Sequence, residues 1–196
     1  MRKIQIENTI YQADTDFRVA IECNRIATDT TIGDYERVLG IICTVFGSKG
    51  IDNPNHYEKL LKWIKKWLLC GEESKKIENE PDMDYIEDEK YIKSSFKYDY
   101  KYNPYDLDFL EWEEFYNDLN NLSNSELGDC CILSRVRNIR NYDLSKIKDS
   151  KEKQKMKEAK EMVALKKYKK ENNLTKEQEE SMSELNKILG IEKGGC

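Results

Sequence analysis

His56 is the only histidine in the chain, so any Ser-His-Asp or Cys-His arrangement would have to use it. It falls in the polar first turn of an expected helix, where the default is a structural role at the surface. Cys130 and Cys131 are adjacent, without the two-residue gap of a zinc knuckle or a thioredoxin-type motif. The plainer expectation is one buried thiol and one near the surface. Glu111, Glu113 and Glu114 bring carboxylates to one expected helix. A general acid–base pair, however, needs a cleft and separated pKa values, and these three flank Trp112 as the polar side of an amphipathic helix would. Gly47-Ser48-Lys49-Gly50 lacks the four-residue gap and terminal Gly-Lys-Ser/Thr of a phosphate loop. The sequence therefore predicts no catalytic residue, no cofactor, no metal ligand and no enzyme.

Charge is segregated along the chain. Residues 72–126 hold 17 acids and 6 bases, whereas residues 135–170 hold 14 bases and 5 acids. Either the two segments face each other in the fold, or they are separate surfaces for oppositely charged partners. Arg135, Arg137, Arg140 and the lysines that follow could neutralise phosphates. Against this, the whole protein is acidic, with a pI near 5.2, and its lysines alternate with Glu152, Glu158 and Glu161 as on a solvated helix. Nucleic acid is not the expected partner.

The elements that would position these residues are mostly helical. The 196-residue chain is 38% hydrophobic and 36% charged, against roughly 45–50% and about 25% in ordinary domains. This predicts a helical domain over residues 1–142 followed by a polar helical extension over 143–196. No apolar run follows the charged start Met1-Arg2-Lys3, and no segment approaches the roughly 18 uncharged apolar residues of a membrane span. Neither an export signal nor a membrane partner is expected. Cys23, Cys43 and Cys70 lie in or beside apolar stretches, as reduced thiols that behave like small hydrophobes.

Ile4 and Ile6 alternate with polar residues, Glu7-Asn8 is a turn candidate, and Thr9 to Gln12 resumes the extended pattern, so a short hairpin opens the chain. Asp14 or Asp16 can cap a helix from Phe17 to Ile26. A second stripe comprises Tyr35, Val38, Leu39, Ile42, Val45 and Phe46, capped by Thr31 or Asp34 and stopped by Gly47. A third, after Asn53-Pro54, comprises Tyr57, Leu60, Leu61, Ile64, Trp67 and Leu68. Residues 72–84 read as a mobile acidic loop. Helices are then expected from Tyr85 to Tyr98, around Trp112 to Leu122, from Ser125 to Arg140, from Asp143 or Ser145 to Lys170, and from Thr175 to Leu189.

Five segments carry a resemblance to a known family. They are Ala13-Asp14-Thr15-Asp16-Phe17-Arg18, Tyr91-Ile92-Lys93-Ser94-Ser95-Phe96, Tyr102-Asn103-Pro104-Tyr105-Asp106-Leu107, Leu110-Glu111-Trp112-Glu113-Glu114-Phe115, and the run from Arg137 to Asp149. In this order they resemble the bacteriophage gene-product-fifteen family of Gram-positive siphophages and prophages, to about Leu165. The resemblance implies a helical tail-assembly chaperone, acting in the host cytoplasm, that keeps the tape-measure protein soluble and helps recruit tail-tube subunits. It also leaves room for self-association. It implies no catalytic residues. The alternative is a minor tail or connector protein retained in the virion.

A chaperone of this kind needs exposed aromatic grooves rimmed by charge. Tyr98, Tyr100, Tyr102 and Tyr105 cluster around a proline break outside the clear stripes and are candidates to line such a contact. The competing expectation is that they cover the domain's own core. Trp112 and Arg140 lie in matched segments, Trp112 as an expected core anchor and Arg140 as an expected partner of the acidic segment.

Overall fold

A computed structural model describes residues 1–71, 81–123 and 130–166. The alternating start forms the expected hairpin, β1 (Arg2–Ile6) antiparallel to β2 (Thr9–Ala13), with Ile4 opposite Tyr11 and Ile6 opposite Thr9. Tyr11 and Ala13 point inward and are fully buried. Glu7 takes φ 54° in the turn, a left-handed conformation that costs a non-glycine residue about 1 kcal/mol. Its carboxylate is held there by Lys59 at 2.8 Å and by His56 Nε2 at 3.4 Å.

Helix α1 (Phe17–Ala27) is capped by Asp16, whose carboxylate accepts the Arg18 N–H at 2.9 Å. The other candidate, Asp14, accepts the Asp16 N–H at 3.1 Å instead. Helix α2 (Asp34–Phe46) starts from Gly33 with no side-chain cap. The expected caps are used elsewhere: Thr31 bonds Asp29 at 2.6 Å, and Asp34 is already inside the helix. Ile42, Val45 and Phe46 face the core as the stripe predicts. Tyr35 does not, being 65% exposed in the first turn, before the helix reaches the core. Cys43 lies on the outer face and is exposed, contrary to its apolar sequence context.

Gly47 ends α2 at φ 65°, and an unforeseen short helix α3 (Ser48–Ile51) follows. Gly50 sits so close to Ile42 and Phe46 that a Cβ would lie 2.8 Å from each. Asn53 accepts the Asn55 N–H and Pro54 opens a 3-10 turn into α4 (Tyr57–Leu68), which buries Leu60, Ile64 and Trp67.

Helix α5 (Glu89–Asp99) begins four residues later than the pattern suggests. The Asp84 carboxylate accepts the N–H groups of Ile86 and Glu87 at 2.8 and 2.9 Å, closing a turn where the helix was expected. Helix α6 (Trp112–Asn120) buries Trp112, Phe115 and Leu119. Helix α7 (Ile132–Asn141) buries Leu133 and Val136. Cys130 and Cys131 are both buried, not one in and one out, because Cys131 joins the core and Cys130 lies just ahead of the helix that Leu133 anchors.

Helix α1 lies against α2 and α6, and α2 also meets α4 and β2. Residues 1–137 form one compact unit around Phe17, Phe96, Phe115, Trp112, Ile42, Leu60 and Ile64. The second unit starts at Asn138. There Asp143 caps a 3-10 turn, Leu144–Lys146, and Asp149 caps α8 (Ser150–Val163) by accepting from Lys151 and Glu152 at 2.9 Å each. The single long helix expected from Asp143 is thus divided, because each aspartate captures the backbone N–H groups that follow it. The described protein is mainly helical with a short N-terminal antiparallel hairpin. No described helix is long and apolar enough to cross a membrane. The loop expected to be mobile at 72–84 lies outside the described residues up to residue 80, as does the whole of the helix expected at Thr175–Leu189.

Candidate partner-binding surface

A ladder of aromatic rings runs through the first unit. Phe115 stacks on Phe17 at 4.4 Å and on Phe96 at 5.4 Å, and Trp112 lies 5.9 Å from Phe115. Three of the four candidate tyrosines fit around this ladder. Tyr100 packs on Phe96 and donates its hydroxyl to the Asp118 carbonyl at 2.9 Å. Tyr102 also meets Phe96 edge-on and donates to the Asp118 carboxylate at 2.8 Å. Burial raises the pKa of both phenols, and the Asp118 carboxylate raises them further. Tyr105 stands edge-on to Phe17 at 5.1 Å, its pKa raised chiefly by burial and then by Glu89, and Lys93 covers its ring at 4.5 Å.

Trp112 is 1% exposed and donates its indole N–H to the Leu68 carbonyl at 3.1 Å. Tyr98, on the last turn of α5, is 55% exposed, with the Lys101 ammonium 5.5 Å from its ring centre. The structure therefore brings Tyr100, Tyr102, Tyr105 and Trp112 to one aromatic core and leaves Tyr98 as the outward ring. Arg140 belongs to the second unit, where its Nε donates to the Val163 carbonyl at 2.6 Å. The acidic and basic segments meet through Arg137 and Asp82 at 3.1 Å.

His56 occupies a buried position rather than the expected surface one. It is 3% exposed, with Nδ1 2.7 Å from the Tyr11 hydroxyl and Nε2 3.2 Å from Asn53. The hairpin folds over it from 45 residues away, which no local pattern reveals.

Among the outward apolar residues not foreseen from the sequence are two on one segment, Leu107 and Phe109, 37% and 47% exposed. They alternate with Asp106 and Asp108, on a segment fixed at both ends. Pro104 is buried at one end. At the other, the Phe17 N–H donates to the Leu110 carbonyl at 2.9 Å and the Trp112 N–H to the Thr15 carbonyl at 3.0 Å. Asp16 completes the clamp by accepting the Leu110 N–H at 3.0 Å, while Arg18 donates to Asp16 and to the Asp108 carbonyl at 2.9 Å. An extended run that sends Leu110 inward must send Phe109 outward. That alternation was the available signal.

The fold and this surface define a small, mainly helical protein that presents apolar side chains on a hydrogen-bonded, acid-rimmed segment. The family model described as Bacteriophage Gp15 protein matches residues 1–165, and the chain belongs to this family of bacteriophage proteins. No curated protein and no solved structure matches it.

Proposed function

We propose that the protein is a tail-assembly chaperone that binds the tape-measure protein, the tail-tube protein or both during tail morphogenesis in the host cytoplasm. It works through surface complementarity and performs no covalent chemistry. Family membership supplies the phage setting. The observation that carries the binding role is the pair Leu107 and Phe109, held out to solvent on a clamped segment between carboxylates. A tape-measure protein is a long helical rod whose apolar faces aggregate until the tube encloses them. An amphipathic helix finds in this segment the apolar anchors and charged rim it needs. Because the backbone is already fixed, little ordering entropy is lost on binding.

Co-expression with the tape-measure and tail-tube proteins tests this reading. The variant Leu107→Ala/Phe109→Ala should lower the soluble, co-purifying fraction of the partner several-fold. Its melting temperature should stay within about 2 °C of the parent, since both side chains are largely outside the core. Undiminished capture would remove this surface from the proposal. Mass spectrometry of purified virions addresses the alternative: a fixed copy number in finished tails would make the protein a structural component.

A further inference from the structure

Strand β1 has an open edge. β2 is its only strand partner among the described residues. The pair Ile6–Thr9 closes a two-residue turn, and such a closing pair exchanges both of its hydrogen bonds. Alternation then directs the backbone groups of Arg2, Ile4 and Ile6 toward β2, and those of Lys3 and Gln5 away from it. Asp14, the next residue beyond β2, obeys the same alternation: its N–H turns away from β1 and donates to the Val45 carbonyl at 2.8 Å. That bond ties the β2 side of the hairpin to α2, whereas among the described residues no such backbone bond ties the β1 side. Alongside β1 runs a groove of about 350 Å³ lined by Ile4, Gln5, Ile6, Glu7, Lys59 and Trp63.

We propose that this edge pairs, antiparallel, with β1 of a second copy of the chain, giving a two-fold dimer with a continuous four-stranded sheet. One register satisfies both the backbone and the charges. With Ile4 on the two-fold axis, Lys3 of each copy faces Gln5 of the other, so all the outward groups of both residues are paired by four hydrogen bonds. Ile4 meets Ile4 as a non-hydrogen-bonded pair, where side chains approach most closely. The diagonal neighbours of Lys3 are then Glu7 and Lys3 of the other copy, so the acid, itself bonded to Lys59 at 2.8 Å, offsets one diagonal like-charge contact. A shift of two residues in one direction sets Lys3 against Lys3. The same shift in the other direction needs Glu7, at φ 54°, inside the ladder. An edge lysine discourages most added strands; in this register it stands directly opposite the neutral Gln5, with the like charge moved to a diagonal that also carries an acid.

The interface is small, so association is expected at micromolar concentrations. Analytical ultracentrifugation of the full chain over a concentration series tests it. The parent should be a dimer. Gln5→Pro should be a monomer with unchanged helical circular dichroism, because the lost N–H faces the open edge and not β2. A second pair of variants keeps the test independent of that proline. Gln5→Lys should weaken the dimer about tenfold, since it creates the like-charge pair twice, and Lys3→Glu combined with Gln5→Lys should restore it. A parent that stays monomeric at hundreds of micromolar overturns the proposal and leaves the edge to a different chain. So does a dimer that survives Gln5→Pro, or one indifferent to the charge changes. Partner capture through Leu107 and Phe109 is measured separately, and neither result decides the other.

Discussion

Asp16 concentrates four structural tasks in one carboxylate. It caps α1, accepts the Leu110 N–H, binds Arg18 through two bonds of 2.7 and 2.9 Å, and thereby fixes the segment that bears Phe109. Burial by itself would raise its pKa. The bonds from Arg18 and from the Leu110 and Arg18 backbones outweigh that effect, and the net pKa lies below the ordinary 3.8. A carboxylate with a depressed folded-state pKa contributes stability above its unfolded value, about 3.9, and loses it as the pH falls through the folded value. Asp16→Asn should therefore destabilise the protein by about 2 kcal/mol at neutral pH, the worth of charged hydrogen bonds lost from a buried site. The gap between parent and variant should narrow below about pH 4 in urea melts. A gap independent of pH would mean the ionised form is not what the site requires. At this scale the sequence was partly legible. Asp16 was a candidate cap because acids precede helices, but its bond to a residue 94 positions away was hidden. His56 and Cys43 were misplaced for the related reason that local polarity does not record what folds over a residue or turns it outward.

Elements were more legible than residues, because a helical stripe is set by the chain itself. The core faces of α2, α4 and α6 follow the apolar spacing closely. Starts were less legible, since several polar residues near a helix compete to cap it, and tertiary contacts choose among them. Gly33 is the clearest case: its φ of −70° and ψ of 163° are those of a cap, yet it brings no side-chain acceptor. Gly33→Ser would create a Ser-x-x-Glu capping box with Glu36. The glutamate carboxylate that a Cβ would meet there is the end of a flexible side chain and can move aside. The variant should gain about 1 kcal/mol in denaturant unfolding. No gain would indicate that the Asp29–Thr31 turn, already bonded at 2.6 Å, imposes the helix start by itself.

For the whole molecule, the low apolar fraction suggested a domain with a polar appendage, and the aromatic core explains how much the first part can hold alone. All three tryptophans, at 63, 67 and 112, and the Phe17–Phe115–Phe96 stack lie before residue 138. In the second unit, α8 has no buried residue. Its described anchors include polar bonds such as Lys160 to the Tyr142 carbonyl at 2.7 Å and Arg140 to the Val163 carbonyl at 2.6 Å. Bonds of this kind contribute on the order of 1 kcal/mol each, less when exposed, whereas a packed aromatic core sets the cooperativity of the transition. A chain ending after Tyr142 keeps α7 whole and loses α8, these polar bonds and the one buried apolar side chain described beyond it, Leu165 at 5% exposed. It should retain its near-ultraviolet aromatic signal and unfold in one cooperative step, with a midpoint within a few degrees of the parent. If it instead loses the aromatic signal or melts broadly, residues after 142 complete the core of the first unit, and the division into domain and extension fails.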